Sequence, residues 1–105
     1  KISKVSEMSS IAREMVKHAI DSFVNNDPEL AREILTKDDV VDEFNKNIFY
    51  QLVAEMKRNP EIIEPAMHII ILSRHLERLA DHATNIAEDV VFLVDAKIIK
   101  HHAEG

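Results

Sequence analysis

The sequence predicts an all-α protein, an antiparallel up-down-up bundle of three helices. The single Gly is the last of the 105 residues and Pro occurs only three times, so the residues that form the tight turns of a β-sheet are missing. Apolar side chains also recur in alternating steps of three and four along most of the chain, which is the spacing of amphipathic helices. This length suits one domain, residues 1–105.

The three helices are predicted at about residues 2–25, 28–58 and 60–98. The dipeptides Asp27-Pro28 and Asn59-Pro60 mark the two boundaries, because each sets an N-cap residue before a proline suited to the first turn of a helix. Connections this short require consecutive helices to run antiparallel.

Each predicted helix has an apolar stripe that we expect to face the core. The second stripe continues without interruption, which predicts one unbroken helix. Because three amphipathic helices leave an open seam between them, we also expect a homo-oligomer. The first stripe consists of Val5, Met8, Ala12, Met15, Ala19 and Phe23; the third consists of Ile62, Ala66, Ile69, Leu72, Leu76, Leu79, Ala83, Ile86, Val90 and Leu93.

Composition excludes several functional classes. Nineteen acidic and thirteen basic residues give a net charge of −6, the wrong sign for a nucleic-acid partner. The longest apolar run, 90–94, is too short to cross a membrane, and no glycine-rich loop is available to bind nucleotide phosphates. The absence of cysteine favours a cytoplasmic protein. Since the chain begins with Lys1 in a helical pattern, we expect it to be a piece of a longer protein.

Two acidic pairs at a spacing of four are the main candidate site. Asp38 and Asp42 lie on the second predicted helix, and Glu77 and Asp81 lie on the third. In an antiparallel pair of helices, residues whose numbers sum to a constant lie at the same height. The sums for Asp42 with Glu77 and for Asp38 with Asp81 are equal, so we expect two level pairs one turn apart. Asn85 follows Asp81 by four residues and Asp39 adjoins the first pair, so both are candidates for extra oxygen ligands.

Four clustered carboxylates require protons or cations, because each close pair repels by roughly 4 kcal/mol at an effective dielectric of 20. Oxygen ligands suit Mg²⁺, Ca²⁺, Mn²⁺ or iron, and the lack of cysteine argues against structural zinc. The alternative is that these acids face solvent and bind no cation, since acid pairs at this spacing are common on solvated helix faces. In that case Arg74 and Arg78 would pair with them.

The segment 74–89 closely resembles the signature helix of the PhoU family, with the sequence RHLERLADHATNIAED. Residues 63–66, which lead into this helix, and residues 25–30, which open the second predicted helix, also resemble the C-terminal half of that family. The resemblance covers nearly the whole chain and implies one three-helix repeat of a fold that has two.

The resemblance implies a function that the residue pattern alone does not give. PhoU-like proteins are negative regulators of phosphate uptake and of the phosphate-starvation response, and they contact the ATPase of the phosphate importer and a sensor histidine kinase. Some members bind multinuclear metal clusters through an acid-x-x-x-Asp motif in each repeat. In this sequence the motif falls on Asp38 with Asp42 and on Glu77 with Asp81. The implied protein is therefore a regulator and not an enzyme.

Two other functions are alternatives to this interpretation of the sequence. The row of His68, His75 and His82 could belong to a histidine phosphotransfer or kinase dimerisation module, although the residues around His75 only faintly resemble a phospho-acceptor box, and such a row is more typical of a helix surface. A plain structural dimerisation bundle with solvated acids is the other alternative. A di-iron oxidase is excluded because the chain contains no Glu-x-x-His motif.

Overall fold

The computed structural model describes the backbone of residues 2–104 and the side chains of residues 4–100. It contains four α-helices and, in the described residues, no strand. The bundle is elongated, about 68 Å long and 17 by 16 Å across. The all-helical prediction is therefore confirmed. The helices are α1 (Ile2–Val24), α2 (Pro28–Leu35), α3 (Asp38–Arg58) and α4 (Ile63–Glu104), with a 3₁₀ turn at Pro60–Ile62 before α4.

The turn between α1 and α2 forms at the predicted boundary. Asn26 has a φ of 56°, the left-handed conformation that ends many helices. The Asp27 N–H donates back to the Ser22 carbonyl at 2.8 Å, which satisfies one of the last carbonyls of α1. The Asp27 carboxylate accepts from the Leu30 N–H at 3.1 Å. One short segment thus caps the end of α1 and the start of α2.

The second predicted helix is divided, and the expectation of one unbroken helix over 28–58 is wrong. Thr36 donates to the Glu33 carbonyl from both its hydroxyl, at 2.6 Å, and its N–H, at 3.1 Å. The Lys37 N–H donates to the Ile34 carbonyl three residues back, so the α-helical ladder gives way to a tighter turn. The apolar stripe continues through this turn, which is why periodicity did not reveal it.

The break decides where α3 begins. Asp38 and Asp39 occupy its first turn, where unpaired backbone N–H groups and the helix dipole favour negative charge. The second boundary follows prediction more closely, since the Asn59 side chain accepts from the Glu61 N–H at 3.2 Å. The third predicted helix, 60–98, begins as the 3₁₀ turn and continues as α4 to Glu104.

Helix α4 contacts each of the other three helices. Its direction relative to α3 follows from two pairs of side chains in contact, Asp38 with Asp81 and Asn45 with Ser73. Since the number on α4 falls as the number on α3 rises, these helices are antiparallel. Between α1 and α4 the residue numbers rise together, because Val5 lies beside Leu72 in one groove and Phe23 lies beside Leu93 in another. Helices α1 and α4 therefore run in the same direction.

The buried face of α4 consists largely of small residues. Ala66, Ser73, Ala80 and Ala87 recur every seven residues and are at most 2 % exposed. A seven-residue repeat keeps one seam of a helix against its neighbours, and side chains this small let the neighbouring backbones approach closely. Met8, Met15, Ile34, Val41 and Val90 are among the larger side chains that fill the core.

The predicted apolar stripe of α4 is wrong in part. Leu72, Leu79 and Leu93 are 47 %, 40 % and 43 % exposed, while the small residues beside them are buried. In α1, Phe23 is 61 % exposed and Ser22 takes the buried position next to it. Two adjacent stripes of one helix share the same period, so periodicity cannot choose between them; the packing of the other helices does.

No helix in the described part of the chain has both the length and the apolar character that crossing a bilayer requires.

Replacing Ala80 with Leu should destabilise the bundle by about 1–3 kcal/mol, because the larger side chain does not fit a fully buried position without displacing its neighbours. Urea denaturation followed by circular dichroism measures the change. Ala54→Leu, at an exposed position of α3, is the matched control and should change stability by no more than about 0.5 kcal/mol. Equal effects of the two substitutions would contradict the assignment of this seam to the core.

Candidate functional site

The four acids of the candidate site meet across the seam between α3 and α4. Asp38 is in hydrogen-bonding contact with Asp81, and Asp42 with Glu77. These are the level pairs expected from the sequence. Two carboxyl groups can form such a bond only when one of them carries a proton, so each pair is a position at which a proton or another positive charge is favourable. We refer to these four residues as the acid seam.

Burial and like charge raise the pKa of two members of the acid seam. Burial is the larger cause for Asp38, followed by the charge and hydrogen bond of Asp81. Burial is again the larger cause for Glu77, followed by the hydrogen bond and charge of Asp42. Both shifts have the direction that desolvation of a carboxylate and a neighbouring negative charge produce. Glu77 and Asp38 therefore retain a proton more readily than an exposed Glu or Asp does.

Asp42 differs because it lies at the more solvated edge. Its hydrogen bond with Glu77 is the main cause of a lowered pKa, and its bond with Lys46 is the second. The Lys46 ammonium lies 3.3 Å from Asp42, with the two side chains 60 % and 45 % exposed. An ion pair this exposed contributes little to stability. Its effect is local, since it favours the charged form of the Asp42 carboxylate beside Glu77, and it raises the pKa of Lys46.

Two polar residues that sequence reasoning did not single out extend the acid seam into the core. The Asn45 side-chain amide donates to Glu77 Oε1 at 3.3 Å. Ser73 is fully buried, and its hydroxyl lies 2.9 Å from both Asn45 Oδ1 and the Ile70 carbonyl. Because Ser73 fixes the orientation of the Asn45 amide, Asn45 presents a donor to Glu77. A serine on the buried repeat of α4, between alanines, is the sequence signal that could have revealed this.

The fifth predicted ligand is placed differently. Asn85 is exposed on α4, one turn beyond Asp81, and within the described residues it is not among the contacts of the four acids. Nor do three His, Asp or Glu side chains in that part of the chain converge so as to hold a single metal ion. Metal binding by Asp38, Asp42, Glu77, Asp81 and Asn85 stays a prediction.

The chemistry of the donor set nevertheless fits a hard cation. All four side chains are carboxylic acids, the oxygen donors that Mg²⁺, Ca²⁺, Mn²⁺ and iron use. The two acids of each pair repel one another when both are ionised, so the space between them favours positive charge. The acid seam therefore provides two such positions, one turn apart on the same pair of helices.

The row of histidines lies outside this site. His68, His75 and His82 are all exposed on α4, as expected for residues of a helix surface. The structure therefore separates them from the acid seam.

The PhoU domain family matches residues 5–90. The phosphate-specific transport system accessory protein PhoU homolog of Pseudomonas aeruginosa is 37 % identical over 98 residues, covering 93 % of this chain and 40 % of that protein. The homolog from Aquifex aeolicus is 39 % identical over 94 residues, covering 90 % and 42 %.

A solved structure agrees with these sequence matches. The crystal structure of PhoU from Pseudomonas aeruginosa superposes with a TM-score of 0.85 at 37 % identity, covering 87 % of this chain and 44 % of that one. The chain thus spans about two fifths of the length of the curated relatives it matches.

The raised pKa of Glu77 should make the free energy of unfolding fall as pH rises from 4.5, the ordinary pKa of a glutamate, towards neutrality. Where a folded-state pKa is raised, the folded protein binds more protons than the unfolded chain, and the stability this gives is lost above the raised pKa. Asp42, with its lowered pKa, acts in the opposite direction, and its contribution is lost only as pH falls below 3.8.

Glu77→Gln removes the contribution of Glu77 to the pH dependence of stability while keeping an acceptor for the hydrogen bond from Asn45. Its melting temperature should therefore fall less between pH 4.5 and neutrality than that of the unsubstituted protein. Glu88→Gln, at an exposed acid of α4 that does not act on the four acids, is the control and should leave the pH dependence unchanged. Parallel melting curves for the protein and Glu77→Gln would show that Glu77 does not carry a raised pKa.

Proposed function

The chain belongs to the PhoU family, and on that premise we propose that it is a negative regulator of phosphate uptake and of the phosphate-starvation response. The observation that carries this proposal is the match of the family to residues 5–90 together with the superposition on a PhoU structure. The relatives are named as accessory proteins of a phosphate-specific transport system. We propose a regulatory and not a catalytic role.

The partners we propose are the ATPase subunit of the phosphate importer and a sensor histidine kinase, both contacted on the cytoplasmic side of the membrane. The helix directions support an up-down-up arrangement, with α2 and α3 together returning between α1 and α4. Since the relatives are more than twice as long as the matched region, we propose that this chain corresponds to one repeat of their fold. We also propose contacts between copies of this chain.

The acid seam would be the site of a metal cluster. Asp38 with Asp81 and Asp42 with Glu77 would supply the carboxylate oxygens, and Asn85 is the candidate additional ligand. A bound cation would supply the positive charge that offsets the repulsion within each pair. Since each pair joins α3 to α4, neutralising both pairs would hold these helices together, while Asn45 and Ser73 keep the Glu77 carboxylate oriented.

The regulatory proposal is tested by binding. The purified chain should bind the ATPase subunit of a phosphate importer in isothermal titration calorimetry, because contacts with that subunit are how the proposed regulation is exerted. The ATPase subunit of a sugar importer is the matched control and should give no heat of binding. Equal binding to both subunits, or to neither, would contradict a specific role of this chain in phosphate transport.

The metal proposal is tested by melting the protein with a chelator and with Mn²⁺, Mg²⁺ or Fe³⁺. Ions that bind only the folded bundle raise its stability by about 2.7 kcal/mol at a hundredfold excess over Kd. Asp42→Asn with Glu77→Gln removes two charges at nearly constant shape, so the metal-free double variant should melt higher than the unsubstituted protein and its response to metal should disappear.

Glu88→Gln with Asp89→Asn is the matched control, since it removes two exposed charges of α4 outside the acid seam. The control should keep the metal response. A metal response that survives in the acid-seam double variant would reject the site, whereas loss of the response in both double variants would assign it to the general negative charge of the bundle.

A further inference from the structure

An exposed apolar surface lies on the outer side of α3 and α4, between the acid seam and the 3₁₀ turn at Pro60–Ile62. Phe49 and Tyr50 on α3 are 43 % and 69 % exposed, and Met67 and Ile71 on α4 are 44 % and 45 % exposed. The two aromatic rings pack edge to face with their centroids 5.4 Å apart. We refer to these four residues as the aromatic patch. It exposes on the order of 400 Å², in the range of the largest apolar patches of monomeric proteins, which are often functional.

Helix geometry places the aromatic patch on the same side of the bundle as the acid seam. At 100° per residue, Phe49 lies about 20° around α3 from Asp42, and Met67 lies about 80° around α4 from Glu77. The antiparallel register set by the contacts within the acid seam puts Phe49 at about the height of residue 70, between Met67 and Ile71. The aromatic patch is therefore one surface formed by both helices.

Exposed basic residues surround the aromatic patch. Lys46 and Lys57 lie about 40° and 60° around α3 from Asp42, and Arg74 lies about 60° around α4 from Glu77. All three are exposed, and we refer to them as the basic rim. The stretches 46–58 and 63–76 contain four Lys or Arg residues and two Glu residues, whereas the whole chain has a net charge of −6. The basic rim is therefore a local excess of positive charge on an acidic protein.

The chain itself compensates little of this positive charge. The sequence allowed Arg74 to pair with the neighbouring acids, but those acids contact one another across the seam. Among the side chains that the structure describes, neither Arg74 nor Lys57 forms an ion pair. Lys46 pairs with Asp42, yet both side chains are largely exposed, so that pair contributes little. A partner can therefore supply negative charge here without breaking a buried ion pair.

We infer that the aromatic patch and the basic rim together form a docking surface for an acidic amphipathic helix of a partner protein. The surface extends along α3 from Lys46 to Lys57, roughly 17 Å or three helical turns. Over that length a helix presents apolar side chains at positions i, i+4 and i+7 to a complementary groove. These side chains cover the aromatic patch, while acids on the two flanks of the partner helix face the lysines of α3 and Arg74 of α4. Aromatic residues, Met and Arg are also the residue types enriched at protein interfaces.

Charge favours a partner helix over other occupants. A second copy placed symmetrically on this surface sets one basic rim against the other, and the like charges oppose that pairing. A bilayer of anionic lipids attracts the basic rim, but it also approaches the acid seam on the same side of the bundle, which it repels. A helix of three turns contacts the basic rim without covering the four acids. The inference rests on the proposed regulatory role only in that a regulator requires a protein partner.

Fluorescence anisotropy with synthetic peptides tests the docking surface. The probe is a labelled, hydrocarbon-stapled helix about four turns long, with Leu at the apolar positions and Glu on both flanks. The comparison peptide has Lys in place of every Glu. The protein should bind the Glu peptide more tightly. Attraction to the overall charge of −6 predicts the opposite order, so a preference for the Glu peptide reports the basic rim.

Substitutions locate the binding surface. Arg74→Glu should raise the dissociation constant of the Glu peptide by at least about tenfold, because it places a like charge at the basic rim. Tyr50→Ala should also raise it, since it removes the most exposed side chain of the aromatic patch. Arg32→Glu, the same charge reversal at an exposed position of α2, is the matched control and should change the constant by less than about twofold at physiological salt. Circular dichroism verifies that all three variants keep their helices.

The outcomes are distinct. Weaker binding with Arg74→Glu and Tyr50→Ala but not with Arg32→Glu supports the docking surface. Equal effects of the two arginine substitutions, no effect of Tyr50→Ala, a preference for the Lys peptide, or binding of neither peptide overturns it. Binding to phosphatidylglycerol vesicles that requires Arg74, without binding of the Glu peptide, assigns the surface to a membrane and also overturns the inference. Because the assay contains no importer subunit, its failure is distinguishable from failure of the regulatory proposal.

Discussion

Small side chains recurring every seven residues along α4 let the three other helices lie against it. Ala66, Ser73, Ala80 and Ala87 are buried in that seam, where their size permits the close approach that larger residues would prevent. A 42-residue helix is too long for any one partner to cover, so α1, α2 and α3 share it. The position of every other surface on α4 follows from which side this alanine-rich seam occupies.

Once the small residues face inward, α4 presents two unlike surfaces. The acid seam lies where α3 meets α4, and the exposed side chains of Leu72 and Leu93 lie beside α1. The acids are tolerated because Asn45 donates to Glu77, and because the break at Thr36 starts α3 at Asp38, where the dipole favours negative charge. A like-charge contact is thereby kept at a helix interface, where a proton or a cation changes how strongly two helices attract each other.

Much of the fold could be predicted because it depends on local chemistry. The capping side chains of Asp27 and Asn59 act on backbone N–H groups two or three residues away, so both boundaries were predictable. The break after Leu35 was not, because the apolar pattern passes through it unchanged. The choice of Ala80 over Leu79 for the core also escaped prediction, since both belong to stripes of the same period.

The sequence by itself determined the helical class, the two capped boundaries, the family and the matched heights of the acid pairs, because spacing along antiparallel helices fixes which residues are level. Only the tertiary structure decided that the acids turn towards each other, that Asn45 and Ser73 support Glu77, and that Leu72 and Leu93 face outward. Those outcomes depend on the rotation of each helix about its axis, which is set by packing between elements distant in sequence.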